Sequence, residues 1–486
     1  MSIRWQDMKE RIVSVLSEFK GQKIGMFGLG IIVFLIIIGI LAPLIAPNTN
    51  GTGWSPLNSQ WKSNPKSAAP RWADFFLPGS RAPHVIDNEV DNVEQRTIGS
   101  TTSKTFTYEY ENNYDIPVKD IVVYLGGTYE GERSLNLRIS VERPDGTTID
   151  EIYKDTSFGS NGTFMIQNGI SLIRATSTTQ KISKEVIYEF GEEYQDPENI
   201  PSKEDVDYSK VLFAKTTEDM MTDPEPLKGT YKIHVNILNS GGGAINLNQD
   251  DSRTIFSGRV FGLMGTDDKG RNIARGWVWG ARYGLIIGGV MSLVTVVVGT
   301  LFGMTSAYYG GWVDEIMQRI NEIIIGIPTF ALLVLVMHLW LQSLWVFVFV
   351  YSALSWRGIA KIIRSRGLQI RQETYVEAAE SLGSDSKRII LSHMVPQILP
   401  YAVAEAALMV PLVVVIEAGL SVLGLGDPDK VTWGRLLSEA HSGQATIGGQ
   451  WWWVMLPGVG IILLGFSFIA SGMAIEKVIN PKMRQR

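Results

Sequence analysis

Apolar residues are not spread evenly along this chain; they gather toward its two ends. Ile24–Ala46 reads IGMFGLGIIVFLIIIGILAPLIA, enough to cross a bilayer core as a helix, which takes about 20 residues. A cleaved leader carries a shorter apolar core of roughly 7–15 residues, so this run is expected to stay as an anchor. Five further apolar stretches follow residue 280, near Gly284–Tyr308, Glu322–Trp340, Ser343–Ala360, Ile398–Leu425 and Trp452–Ile475. Together they predict about six transmembrane helices. Pro328, Pro411 and Pro457 fall inside these runs or at their ends, which membrane helices tolerate where neighbours satisfy the freed carbonyls. Ahead of the first run, Ile3, Trp5, Met8, Ile12, Val15, Leu16 and Phe19 recur at helical spacing. They predict an amphipathic helix over residues 1–23 that lies at the membrane interface.

Between the apolar ends, residues 47–260 are polar and carry a strand-like pattern. Branched or alternating runs occur at Ile121–Leu125, Leu135–Val141, Glu185–Phe190 and Tyr231–Ile237, with Pro144-Asp145-Gly146 marking a turn. A sandwich of short antiparallel strands is expected. The flanks, 48–70 and 239–248, are rich in Gly, Ser, Asn and Pro and read as linkers.

Charge sharpens this division. The 486-residue chain has a net charge of −5, yet acidic residues exceed basic ones by about ten within the polar stretch alone. The helical remainder is therefore mildly basic. An acidic water-exposed insertion in a membrane protein fits this asymmetry, and nucleic acid is not an expected partner, because phosphate binding needs a basic face. There is no cysteine, so disulfides, thiolate nucleophiles and cysteine–zinc sites are excluded.

Positive charges set the expected orientation. Arg4, Lys9, Arg11, Lys20 and Lys23 precede the first span; Lys361, Arg364, Arg366, Arg371, Lys387 and Arg388 follow the fourth; Lys477, Lys482, Arg484 and Arg486 follow the last. With six spans all three groups fall on one side, which the positive-inside rule makes the cytoplasm. Residues 47–260 are then outside, and both termini are cytoplasmic.

The segment between the fourth and fifth spans carries the most information. Glu377-Ala378-Ala379 is followed, after three intervening residues, by Gly383, then by a helical stretch ending at Val395-Pro396. Adjacent alanines on a short helix let a partner surface come close, and Gly383 allows a tight bend. A charged helix–turn–helix between two spans suits the transmission of a rigid-body motion.

This segment resembles the EAA loop of ABC-importer permeases, with Val395 standing for the family's leucine and His393 for its isoleucine. Other parts after residue 260 are similar to the dipeptide and oligopeptide permeases: Gly265 through Asn272, Gly280-Ala281-Arg282, Tyr309 through Asp314, Glu417 through Ser421, Gly424-Leu425-Gly426, Trp433-Gly434 and Asn480-Pro481. The resemblance implies an α-helical polytopic membrane protein of the type I ABC importer permease fold, with a β-rich extracytoplasmic insertion at 47–260 and a permease core at 261–486. It implies a second permease subunit, cytoplasmic ATP-binding subunits and an extracytoplasmic substrate-binding protein as partners. Glu377, Ala378, Ala379 and Gly383 would couple the chain to the ATPase. Peptides are the implied substrate, although relatives of this family also carry oligosaccharides or nickel. No Gly-x-x-x-x-Gly-Lys-Ser/Thr loop is present, so no cofactor is expected on this chain and ATP would be bound by the partners. No catalytic constellation is legible either, and an enzyme is not expected.

Two carboxylates sit inside the fifth apolar run. Glu405 and Glu417 are costly at membrane depth and are expected to face the bundle interior or the pathway. Asp267 and Asp268 lack the spacing of a calcium loop and are read as capping the next helix. His338 and His393 are isolated, and Trp451–Trp453 are expected at the membrane interface. The rival reading is a membrane receptor whose outer β domain binds a ligand.

Overall fold

The computed structural model describes residues 18–479, apart from 132–133, 161, 167–168 and 174–180. The amphipathic helix expected over residues 1–23 lies almost wholly outside the described residues, as does Asn480-Pro481. The chain divides into two compact units. One is helical and combines the chain up to Ser55 with the chain from Ile273 onward; the other is Pro56–Asn272. These limits differ from 47 and 260. Residues 260–272 belong with this second unit because Ser67 N donates to Asp267 O and Phe261 N to Ala69 O, at 2.7 Å each.

Helix α1 spans Lys23–Ile45. The unit that follows is β-rich, but among the described residues it holds three antiparallel sheets rather than a two-sheet sandwich. The largest runs in space as Asn92–Ile98, Thr101–Asn112, Gly229–Asn239, Leu135–Glu142 and Thr148–Phe158. Alternation decides its buried face: Tyr231, Ile233, Val235 and Ile237 point into the core, with Tyr110 opposite Tyr231 and Val141 opposite Ile233. The segment Glu185–Phe190, expected as a strand, is part of helix α2 (Lys181–Tyr194). There Ile187, Phe190 and Tyr194 recur at helical spacing against the core. A short helix α3 (Tyr208–Leu212) completes the unit. The expected linker 48–70 is built instead of short 3-10 turns that bury Trp54 and Trp61. Asp267 and Asp268 precede α4 without sitting at its cap. Asp267 is fully buried, accepts from the backbone N–H groups of Lys269 and Arg271, and pairs with the Arg271 guanidinium.

The helical unit continues with α4 (Ile273–Tyr309), α5 (Gly311–Ile325), α6 (Thr329–Leu339), α7 (Leu344–Arg371), α8 (Thr374–Ser381), α9 (Val395–Leu420), α10 (Trp433–Ser442) and α11 (Trp451–Ile479). Among the described residues five helical segments are long and apolar enough to cross a membrane, or six if the bent pair α5–α6 counts as one. The stretch near Glu322–Trp340, expected as one span, is broken: α5 and α6 meet at 63°. Pro328 has no N–H to continue the ladder, so the helix stops before it and restarts. Lys361, Arg364, Arg366 and Arg371 ride on α7 rather than on a loop.

Close approach of α4 to its neighbours holds this unit together. Gly276, Gly280, Gly284 and Gly288 recur every four residues along one face. A side chain on Gly280 would enter the ring of Trp433, and a Cβ on Gly288 would sit 2.6 Å from Val410. Farther along, Gly299 and Gly303 lie against the α7 backbone at Trp356 and Ala360. Lipid tails are as apolar as leucine, so helices associate here through close packing rather than through the hydrophobic effect. Trp433 fills the space that Gly280 leaves and donates its indole N–H to Trp277 O at 3.0 Å. Helix α1 uses the same device, with Gly28 against α11 and Gly39 against Arg282 of α4. Trp452 and Trp453 are buried in the bundle, and Gly443 leaves room for the Trp453 ring beside it.

Two outcomes follow. Gly280→Ala overpacks the Trp433 seat and is expected to destabilise the chain by about 1–3 kcal/mol, read as a lower thermal midpoint in detergent. Gly289→Ala, with nothing within 4 Å of its Cβ, is expected to leave the midpoint in place. In the β-rich unit, burial beside Phe261 pushes the His84 imidazole down from 6.5 to about 4. Between these values the unfolded chain takes up a proton that the folded chain refuses. The stability present above pH 6.5 is thus lost as pH falls toward 4, by up to about 3 kcal/mol. Hydrogen exchange of the sheet strands across this range is expected to show the loss, and His84→Phe to flatten it.

Candidate functional site

The segment joining α7 to α9 is a compact knob. Helix α8 ends in a glycine cap: Ser384 N donates to Ala379 O at 3.1 Å and Gly383 N to Glu380 O at 2.9 Å, the paired bonds of a Schellman motif. Gly383 occupies the left-handed region at φ +74, where a side chain costs roughly 1–2 kcal/mol. A helical turn at Ser386–Arg388 and a wider π-type turn at Ile389–Met394 lead into α9. The π turn shifts the helical register, so Ile389, Ile390 and Met394 face inward while His393 is half-buried.

One face of this knob is anchored and the other is free. Val376 and Ala379 are buried in a cluster with Met304, Tyr308, Ile363, Ile390 and Met394. Glu377, Ala378 and Gly383 are exposed, and Leu382 is 86% exposed at the tip. The two adjacent alanines therefore do different things: Ala379 seats α8 on the bundle, and Ala378 leaves the outer face low enough for close approach.

Beneath the knob, three helices are clamped by charge. Arg364 of α7 grips Asp314 of α5 in a two-pronged pair, Nε to Oδ1 at 2.6 Å and Nη2 to Oδ2 at 2.5 Å. Ser306 of α4 donates its hydroxyl to Asp314, and Gln318 donates to Ser306 at 2.9 Å. Planar guanidinium matched to carboxylate fixes direction as well as distance.

The two membrane carboxylates differ in surroundings. Glu417 is enclosed, and its Oε1 accepts from the Ser421 and Thr432 hydroxyls at 2.8 and 2.7 Å. Gly434 leaves no room for a side chain next to Glu417 Oε2. Glu405 is half-buried and accepts from Tyr401 Oη at 2.6 Å, while Arg366 lies over the Tyr401 ring at 4.3 Å. The structure thus gathers Glu377, Ala378, Ala379 and Gly383 in one knob and leaves Glu405 and Glu417 apart from it, three helical turns from each other on α9. Asp314, Arg357 and Arg364 were not among the expected site residues. The available signal was charge inside or beside apolar runs: Arg357 falls within the expected span Ser343–Ala360.

Removing one partner of a desolvated pair leaves an uncompensated charge. Asp314→Ala is expected to cost on the order of 2 kcal/mol, discounted for partial exposure, and Asp314→Ala with Arg364→Met to recover most of it. Thermal midpoints of the two variants check this.

Comparison with known proteins places this geometry in a family. The family described as binding-protein-dependent transport system inner membrane component matches residues 299–485. The N-terminal transmembrane domain of oligopeptide transport permease C matches residues 12–64. The dipeptide transport system permease protein of Bacillus subtilis is 33% identical over 225 residues, covering 46% of this chain and 69% of that protein. The oligopeptide transport system permease protein of Haemophilus influenzae is 32% identical over 223 residues, covering 46% and 71%. The oligopeptide permease of B. subtilis is 32% identical over 224 residues, covering 46% and 72%. None of these matches favours the receptor reading. The chain belongs to the family of inner-membrane components of binding-protein-dependent transport systems, and is a multi-pass membrane permease subunit of that ABC class.

Proposed function

We propose that this permease forms half of a translocation pathway for peptides and that α8 with its Gly383 turn docks on a cytoplasmic ATP-binding subunit. The observation that carries the docking is the division of the knob: a buried face locked to the ends of α4, α7 and α9, and a free face ending in exposed Leu382. A surface fixed this firmly to three helices passes a push from below into the bundle with little loss. Peptide as the substrate class rests on the relatives' names as dipeptide and oligopeptide transport permeases.

On this reading a second permease completes the pathway, and ATP is bound and hydrolysed by the partner subunits rather than by this chain. A binding protein delivers substrate from outside. Both termini lie in the cytoplasm, with the β-rich unit on the opposite side as a platform for the binding protein. Glu405, with partial access, is the carboxylate assigned to meet a cationic group of the peptide. Glu417, held by two hydroxyls, is assigned a holding role near the outer end of α9.

The test is Glu377→Lys combined with Gly383→Val in the assembled transporter. Uptake is expected to fall at least about tenfold, the scale of one lost interfacial anchor, while ATP hydrolysis continues and the chain still inserts. Undiminished uptake with both replacements in place removes α8 from the coupling path.

A further inference from the structure

A charged residue lies midway along α7, and its partners are unusual. Arg357 stands 13 residues into the helix, about 20 Å from its start by helical rise. Among the described residues no carboxylate pairs with it. Its Nη1 donates to Ile324 O at 2.9 Å and its Nη2 to Thr329 Oγ1 at 2.7 Å. Ile324 is the next-to-last residue of α5, and Thr329 is the first of α6. A single guanidinium therefore bridges the break between the two bent helices.

The chemistry of the break explains the choice of acceptor. In a continuous helix the carbonyl of residue 324 would accept from the N–H of residue 328. Residue 328 is proline and has no N–H. Ile327 N reaches the same carbonyl at 3.1 Å in a tighter turn, and the second donor is Arg357. The carbonyl at the break thus has two donors, one from its own turn and one from an arginine of another helix, where Pro328 deletes the helical one. Within a bilayer an unsolvated guanidinium is costly, and the second lone pair of this carbonyl together with the Thr329 hydroxyl gives it two acceptors.

Arg364 lies seven residues further along α7, on the same face as Arg357. It grips Asp314 in the first turn of α5. Helix α7 thus holds α5 at both ends, and its own last residue, Arg371, is three residues from α8.

We propose that Arg357 is a positioning residue that latches the α5–α6 break in its bent form, so that displacement of α7 is passed to the pathway by moving or releasing this latch. The bent geometry stands on the distances alone. Its link to transport rests on the docking role proposed for α8, and the two are separable by experiment.

The chain has no cysteine, so spin labels can be placed at Glu315→Cys on α5 and Leu339→Cys on α6 without further change. The label-to-label distance is to be measured in the assembled transporter in lipid nanodiscs. A narrow distribution set by the bend is expected for the parent. Arg357→Met removes both donors, and is expected to shift the ratio of bent to straightened pairs by about ten- to a hundredfold, the scale of a lost bond to a charged donor. Thr329→Val removes one acceptor at nearly constant volume and is expected to shift it less, which keeps the test available if Arg357→Met fails to assemble. Pro328→Ala restores the missing N–H and is expected to favour the straight pair even with Arg357 intact. ATP-driven uptake should fall with the bent fraction while ATP hydrolysis persists. Unchanged distances in both Arg357→Met and Thr329→Val overturn the latch. Changed distances with full uptake keep the latch but overturn its link to transport. Should Glu377 and Gly383 prove dispensable, the docking reading fails while the distance result stands.

Discussion

The helical unit depends on how closely α4 can approach its neighbours. In lipid there is no water to expel, so helices adhere by dispersion and hydrogen bonding across short distances. Gly276 through Gly288 open one face of α4 to Trp54, Trp433 and Val410, and Gly299 and Gly303 open another to α7. Trp433 matters because its ring is large, fully enclosed and hydrogen-bonded to Trp277 O. With the backbones this near, a shift of α4 cannot be absorbed locally, since packed cores behave as discrete arrangements rather than as soft material. The same rigidity holds the buried face of the knob at α8 against the helix ends it packs on.

Polar groups then decide direction within a bundle whose apolar faces are nearly interchangeable. Arg364 and Asp314 tie α7 to the start of α5, and Ser306 brings α4 into the same clamp. Glu417 draws the Thr432 segment that precedes α10 onto the end of α9 through the Thr432 hydroxyl, while Ser421, one turn on, donates to the same oxygen. Each acceptor or donor is matched by geometry as well as by charge, so these contacts fix register where dispersion alone would allow sliding.

The β-rich unit obeys different physics. It buries a conventional core of alternating strand residues around Tyr108, Tyr231 and Ile233, and holds together without disulfides. The stacking of Tyr110 on Phe256 at 4.3 Å and the buried Asp267–Arg271 pair stand in for covalent staples. Its 217 residues bury a sizeable core, which is what a domain without cross-links needs.

How much of this was legible in the chain depends on the range of the forces involved. The spans, the anchor and the β-rich character of the insertion follow from local hydropathy and alternation, which each segment carries within itself. The knob was also legible, because Gly383 must be glycine for a local reason: the backbone there adopts a conformation that side chains resist. Glu185–Phe190 was misread because a short run of branched and aromatic residues suits strand and helix alike until the surface it packs on is known. The break at Pro328 was only half legible: proline announces an interrupted ladder, but not the 63° bend. That bend is held by Arg357, which is distant in sequence. Likewise the chain declared that Glu417 was costly at membrane depth, while its partner Thr432, like the partner Asp314 of Arg364, was chosen by how the helices assemble. Sequence alone determined which segments enter the bilayer and where the backbone must bend. Tertiary structure decided which buried charge answers which orphaned group, because that choice depends on distances between helices that no local pattern encodes.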